Sequence, residues 1–420
     1  MNQNQLTITD YCRQQGLPFS NELLARYVAS VLTKPFVILA GVSGTGKSKL
    51  AQLVAEYYAL QSTTKPNIEN EAVLGDAFVF EEPKTETPDR FALVAVRPDW
   101  IDNQSILGFV NPLTGQYEST KALDIILRAN EAVSRSKSPL SADRYFMLLD
   151  EMNLARVEHY FSDWLACSES RRLLYDGTVD QQAVPLHRSS ELTTNLIQVD
   201  GSIKEKEVPR QVKLPTNLII TGTVNVDETT YGFSSKVLDR SMVIEFDDVD
   251  LEELRDDHRE PEQGLYNIPK KLPPFRLPGT EDYRQLDEKT HTHLVNINKI
   301  LEVSRLHFGY RTANEIAVFI DIFSSFLPES STIIAPNYSA LDFAILQKVL
   351  PRLSGNRAKL ELPLTKLCFY LRELRMPEEN EDLTGALLKP VTDAKLSHSY
   401  HRAIEMLDGL RTFGFVSFFK

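Results

Sequence analysis

Three cysteines, Cys12, Cys167 and Cys368, are too few and too scattered for a disulfide framework or a metal knuckle. No apolar run reaches the roughly 18 residues that a membrane-spanning helix needs. The N-terminal MNQNQLTITDYCRQQ lacks a basic segment followed by an apolar one, so no secretory leader is expected. Isolated thiols without a leader predict a reducing, cytoplasmic setting and no membrane partner. Basic residues are also in deficit, with 46 Lys and Arg against 58 Asp and Glu, a net charge of −12. A chain that wraps duplex DNA unaided carries a basic face. Any nucleic-acid contact here has to come from a local patch, an assembly of several copies or a partner. No internal repeat or low-complexity tract is present, nor an endonuclease pattern of the P-D-x(n)-[DE]-x-K kind, so no intrinsic cutting is expected. What remains is 42% hydrophobic and 25% charged, an ordinary globular balance over enough residues for two or three domains.

The most informative stretch is PFVILAGVSGTGKSKLAQLVAEYY, beginning at Pro35. Residues 36–40 form a short apolar run, as in a strand buried on both faces. Gly41, Val42, Ser43, Gly44, Thr45, Gly46, Lys47 and Ser48 then fit the phosphate-binding pattern G-x-x-x-x-G-K-[ST]. Leu50, Leu53, Val54, Tyr57 and Tyr58 follow at helical spacing, so a helix leaves the loop with one face on a sheet. Strand, glycine loop and helix stand in the order the chemistry requires. Glycines let backbone N–H groups curl round a β-phosphate, and the helix N-terminus adds partial positive charge. Lys47 is placed to neutralise the β- and γ-oxygens and Ser48 to hold Mg²⁺.

Residues 1–34 read as helix, with Ser20 or Asn21 as cap and Leu23, Leu24, Tyr27, Val28, Val31 and Leu32 on one face that packs against the nucleotide domain. Residues 61–90 read as a polar loop and residues 91–96 as a second strand. Phe109 and Tyr117 fall on an expected loop, either packing locally or facing the centre of a ring. Residues 123–132 read as helix. The apolar run 145–149 ends in Asp150-Glu151. In a phosphate-loop fold, a strand beside the first carries such a pair to its C-terminal end, where Asp150 joins the Mg²⁺ shell and Glu151 polarises an attacking water. Val157, Tyr160, Phe161, Trp164 and Leu165 share a helical face and read as core, with His159 as packing beside them. Residues 168–213 read as a β-rich insertion with a hairpin signal at Asp200-Gly201. A strand at 218–221 leads towards Asn225, a polar residue suited to orienting the attacking water, and another strand is expected at 242–246. Taken alone, Arg240 reads as a salt-bridged surface arginine. The nucleotide core thus spans residues 35–250, an acidic, proline-rich linker 251–289, and a helical domain 290–420 with four helices.

Four segments, TKPFVILAGVSGTGKSKLAQLVAE, VRPDWIDNQSILGFVNPLTGQYE, LLDEMNLARVEHYFSDWL and GTVNVDETTYGFSSKVLDRSMVIEF, together resemble McrB-type AAA+ proteins, the NTPase motors of modified-DNA restriction systems. The resemblance is strong over residues 20–250 and looser beyond. It implies a five-stranded α/β core of the AAA+ P-loop NTPase kind with a C-terminal α-helical lid, assembling as a hexameric ring with nucleotide between neighbours. It also implies roles: Lys47 and Ser48 as the phosphate-loop pair, Asp150 and Glu151 as the Mg²⁺ and water-activating acids, and Asn225 as first sensor. Arg240, in VLDR, resembles the arginine finger that reaches a neighbour's γ-phosphate, with Lys236 second in line. Arg311, in HFGYR, is similar to the second sensor, with Arg352 as runner-up. The family loop M-N-x-x-D is replaced here by Val224-Asn225-Val226-Asp227-Glu228, which leaves the base open between GTP and ATP. Only 34 residues precede the first expected strand, so DNA reading is expected in a McrC-like nuclease partner, with DNA reached through the assembled complex. The alternative is a MoxR-like remodeller that does not act on DNA.

Overall fold

The computed structural model describes residues 6–62, 90–175, 178–189, 192–197, 203–226, 231–246, 266–328, 338–387 and 394–419. Its centre is a five-stranded sheet of β1 (Phe36–Gly41), β2 (Phe91–Ala95), β3 (Tyr145–Asp150), β4 (Leu218–Asn225) and β5 (Met242–Glu245), in the order β5-β1-β4-β3-β2. Every pairing is parallel. β1 and β4 are buried along their whole length; β1 is accordingly a continuous apolar run, whereas β4 carries buried polar residues, Thr221, Thr223 and Asn225, towards its C-terminal end. Edge strand β2 alternates between buried and exposed residues at its C-terminal half.

One sequence expectation fails here. The strand that carries Asp150 is not beside β1, because β4 lies between them. The insertion of β4 brings the end of a third strand, with Thr223 and Asn225, between the glycine loop and the acids.

Ten helices matter to the argument: α1 (Ile8–Gln14), α2 (Asn21–Thr33), α3 (Lys47–Ser62), α4 (Lys121–Arg135), α5 (Ser162–Ser170), α6 (Glu288–Glu302), α7 (Tyr310–Phe326), α8 (Ser339–Lys348), α9 (Arg357–Glu373) and α10 (Ser397–Phe413). Ser20 caps α2, its Oγ accepting the Leu23 N–H at 3.2 Å. The buried face of α2 meets the sheet, and the hydroxyls of Tyr27 and Thr221 hydrogen-bond at 2.6 Å. Leu50, Leu53, Val54, Tyr57 and Tyr58 of α3 are all buried, as their spacing requires.

Val157, Tyr160, Phe161, Trp164 and Leu165 are core, with the Phe161 and Trp164 rings stacked at 5.5 Å. His159 is exposed rather than packed with them. Tyr117 is buried and its hydroxyl donates to the Leu107 carbonyl at 3.0 Å, whereas Phe109 is exposed. The two sit on a short antiparallel ladder, not an open loop. Among its described residues the β-rich insertion forms three two-stranded ladders: Arg172–Leu173 with Val179–Asp180, Val184–Pro185 with Gln211–Val212, and Thr193–Ile197 with Ile203–Glu207. Asp200-Gly201 lies outside the described residues, as do most of the polar segment 61–90 and the sequence at 227–230.

The expected linker is not a free tether where it is described. Tyr58 donates to the Pro269 carbonyl at 2.9 Å, Arg144 to Pro273 at 2.7 Å, and the Phe275 N–H to Leu140 at 2.7 Å. Proline-rich sequence here marks an extended strap laid on the core, since prolines leave carbonyls as the groups available for bonding. In the C-terminal part, α9 is a helix the periodicity does not announce. Pro363 sits inside it, and an interior proline reads as a break. The helix survives because Leu360, Leu364, Leu367, Cys368 and Leu371 bury a continuous face, packed largely on α10. Among the described residues, no helix is long and apolar enough to cross a membrane.

Candidate nucleotide site

β1 delivers the loop of residues 41–48 to the C-terminal end of the sheet, and α3 begins at Lys47. Gly44 and Gly46 take φ of 84° and 96°, a left-handed backbone that other residues adopt only at a cost. Lys47 is only 5% exposed, and its ammonium donates to the carbonyls of Gly41 at 2.9 Å and Val42 at 2.5 Å. Its stem therefore runs under the loop and its charge lies within the curl of backbone.

Ser48 Oγ donates to Asp150 Oδ1 at 2.6 Å. The same carboxylate oxygen accepts from Thr223 Oγ1 at 2.7 Å, and Thr223 Oγ1 in turn accepts the Glu151 N–H at 2.9 Å. Thr223 is buried, so this is a fixed junction linking β1's helix, β3 and β4. A serine hydroxyl beside a carboxylate is the oxygen donor set of a hard divalent cation, and Mg²⁺ characteristically takes only one or two protein oxygens and completes its shell with phosphates and water. Ser48 and Asp150 fit Mg²⁺. Among the described residues, no cluster of three or more His, Cys, Asp or Glu offers a separate all-protein metal cage.

Glu151 has φ 54° and ψ 47°, a left-handed conformation in a non-glycine residue. Such geometry costs about 1–3 kcal/mol and is characteristic of functional sites. It turns the chain sharply out of β3 into the turn Met152–Leu154 and points Glu151 at β4, where Asn225 Nδ2 donates to Glu151 Oε1 at 3.4 Å. The turn needs room, and Gly222 of β4 provides it. A Cβ at Gly222 would lie 2.0 Å from Met152 Sδ.

Lys47, Ser48, Asp150, Glu151 and Asn225 are thus brought together. Arg240 and Arg311 are not. β5 begins opposite Val37, near the start of β1, so Arg240 lies at the N-terminal end of the sheet. The length of β1, about 17 Å at 3.3 Å per residue, separates that end from the glycine loop. Arg240 and Arg311 share one carboxylate, that of Glu169 on α5: Arg240 pairs with Oε2, and Arg311 Nη1 with Oε1 at 2.7 Å. With Lys34, Arg171 and Arg276 they line a cavity of about 130 Å³. Burial lowers the Arg240 pKa, and the Arg311 charge beside it lowers it further. Neither candidate for second sensor reaches the glycine loop of its own chain, since Arg352 pairs with Asp239 at 2.7 Å at this same end. Lys236 is exposed, and its carbonyl accepts from Arg240 Nη1 at 2.8 Å.

Behind these arginines lies a buried ionic triad. Glu315 of α7 pairs with Lys34, which follows α2, and with Lys348 of α8 at 2.6 Å. Burial alone would raise the Glu315 pKa, but Lys34 and Lys348 bring it down to about 2. Burial lowers Lys348 to about 8 against the opposing pull of Glu315. Gly222, Thr223 and Lys34 fall inside segments that carry the family resemblance but had no role attached to them there, and Glu315 and Lys348 lie outside those segments. A further signal for Thr223 is that it stands two residues before Asn225 in a strand, hence on the same face.

Residues 271–415 match the model of a domain of unknown function, DUF8727. The match covers the helical C-terminal part and none of the residues that form the phosphate and acid cluster. No curated protein matches the chain.

Proposed function

We propose that the chain is a Mg²⁺-dependent nucleoside triphosphate hydrolase of the AAA+ kind, similar to McrB-type motors. The observation that carries this reading is the junction of Ser48, Asp150, Thr223 and Glu151 at the end of the sheet that bears the glycine loop. The backbone N–H groups of residues 41–48 bind the phosphates, with GTP and ATP both open as the nucleotide. Lys47 neutralises the β- and γ-oxygens. Bound at Ser48 and Asp150, Mg²⁺ supplies charge neutralisation to the phosphate oxygens. Glu151 accepts a proton from the attacking water, and Asn225 orients water and carboxylate towards one another.

Arg240 acts on the site of a neighbouring copy. Its distance from the glycine loop of its own chain supports that role, because an arginine at the far end of the sheet serves another subunit's nucleotide or none. A head-to-tail interface of this kind closes into a ring, six-membered in the family it resembles. The C-terminal helices serve as the lid, and work is delivered to a McrC-like nuclease on DNA.

Hydrolysis of ATP and GTP, side by side and with or without duplex DNA and the nuclease partner, tests the reading. Turnover that rises with protein concentration and with DNA or partner supports a motor. Turnover that neither DNA nor the nuclease partner changes assigns the chain instead to the MoxR-like remodellers.

A further inference from the structure

Lys348 is a fully buried lysine that the hydrolytic reading leaves unused. It ends α8, the helix that leads into the turn Leu350–Arg352. An ammonium has three N–H donors. One faces Glu315 Oε2 at 2.6 Å, and the other two go to the core: the carbonyls of Asp239 at 2.9 Å and Ser241 at 2.8 Å. Those carbonyls flank Arg240. Four residues after Lys348, Arg352 Nε reaches the Asp239 carboxylate at 2.7 Å. The backbone on both sides of Arg240 is therefore held by the C-terminal helices and not by the sheet domain alone.

Exchange of buried ionic groups for apolar side chains of similar volume is often neutral for stability, so packing alone does not call for a lysine here. A lysine is the side chain that holds two main-chain carbonyls and a carboxylate from one atom. Glu315 fixes the other side of that atom and lies on α7, the helix whose first turn carries Arg311. Movement of α7 and α8 therefore reaches Arg240 through two ion pairs and two hydrogen bonds to the main chain that flanks it.

We propose that Lys348, supported by Arg352, is a positioning residue that sets Arg240 for the neighbouring copy's nucleotide and so couples the helical lid of one subunit to hydrolysis in the next. This rests on the reading of Arg240 as a residue that acts between copies. A displacement of about 1 Å at a reacting group can cost about 100-fold. The full chain with Lys348→Met should bind nucleotide with unchanged KM and lose about that factor in kcat.

The decisive readout is complementation in mixed assemblies. Lys348→Met subunits keep an intact phosphate site and Glu151→Gln subunits keep an intact Arg240. In a head-to-tail ring with random mixing, about a quarter of interfaces pair the intact halves. A mixture of the two inactive proteins should recover turnover towards that fraction with MgATP or MgGTP. Arg240→Ala mixed with Glu151→Gln is the control. If the control recovers and the Lys348→Met mixture does not, the loss at Lys348 is structural or internal to its own site, and the positioning role is overturned. Failure of the control overturns the action of Arg240 between copies, and the inference with it. Arg352→Met, at a less buried position, gives the same test should Lys348→Met not fold: complementation supports the linkage and its absence overturns it.

Discussion

Thr223 Oγ1 donates to the Asp150 carboxylate at 2.7 Å while accepting the main-chain N–H of Glu151 at 2.9 Å. One hydroxyl thus sets the orientation of Asp150, the acid proposed to hold the cation, and the start of the left-handed turn that aims Glu151. Valine at this position keeps the shape and removes both bonds. Thr223→Val should lower hydrolysis about 10–100-fold, the usual effect of losing a group that orients a metal ligand. It should also destabilise the chain by about 1–3 kcal/mol, because a buried N–H loses its acceptor. Urea denaturation and steady-state turnover measure the two effects, and Thr223→Ser should restore both.

Gly222 and Met152 make a second, purely steric prediction. A methyl group at Gly222 meets Met152 Sδ at 2.0 Å, so Gly222→Ala should cost about 1–3 kcal/mol by overpacking and displace the turn after Glu151. Thermal denaturation should show the loss. The double variant Gly222→Ala/Met152→Ala should relieve the clash and recover part of the turnover, an outcome that a general folding defect would not give.

The phosphate and acid motifs were legible because their chemistry is contiguous. A glycine loop ending in Lys47-Ser48 and an apolar strand ending in Asp150-Glu151 announce themselves locally. Thr223 was not legible, since a threonine in a β-rich run is an ordinary strand residue until β4 is placed between β1 and β3. The position of that strand is a matter of sheet order, which periodicity does not encode. Helix α9 was hidden by Pro363, whose missing N–H is offset by burial of the face around it. Arg311 was expected at the phosphates, and its actual partner, Glu169, is distant in sequence and carries no motif.

Glu315 gives the pH dependence a definite sign. In the fold its pKa falls from 4.5 to about 2 under the pull of Lys34 and Lys348. Its contribution to stability is complete above pH 4.5 and is lost as pH falls through about 2. Glu315→Gln removes that proton linkage, so its stability should fall less steeply between pH 4.5 and about 2 than that of the parent chain. At neutral pH the same variant leaves two buried cations without their shared carboxylate and should be less stable by about 3–5 kcal/mol. Urea midpoints across the acid range measure both, and an unchanged acid slope would remove Glu315 from the linkage.

Release of inorganic phosphate from MgATP and MgGTP by the parent chain, Lys47→Ala and Glu151→Gln tests the central claim most directly. The parent chain should hydrolyse at least one of the two only when Mg²⁺ is present. Lys47→Ala should lose both binding and turnover, whereas Glu151→Gln should bind nucleotide and turn over about 10²–10⁴-fold more slowly. Magnesium-dependent turnover that survives unchanged in both variants, or its absence from the parent chain with either nucleotide, would contradict the assignment.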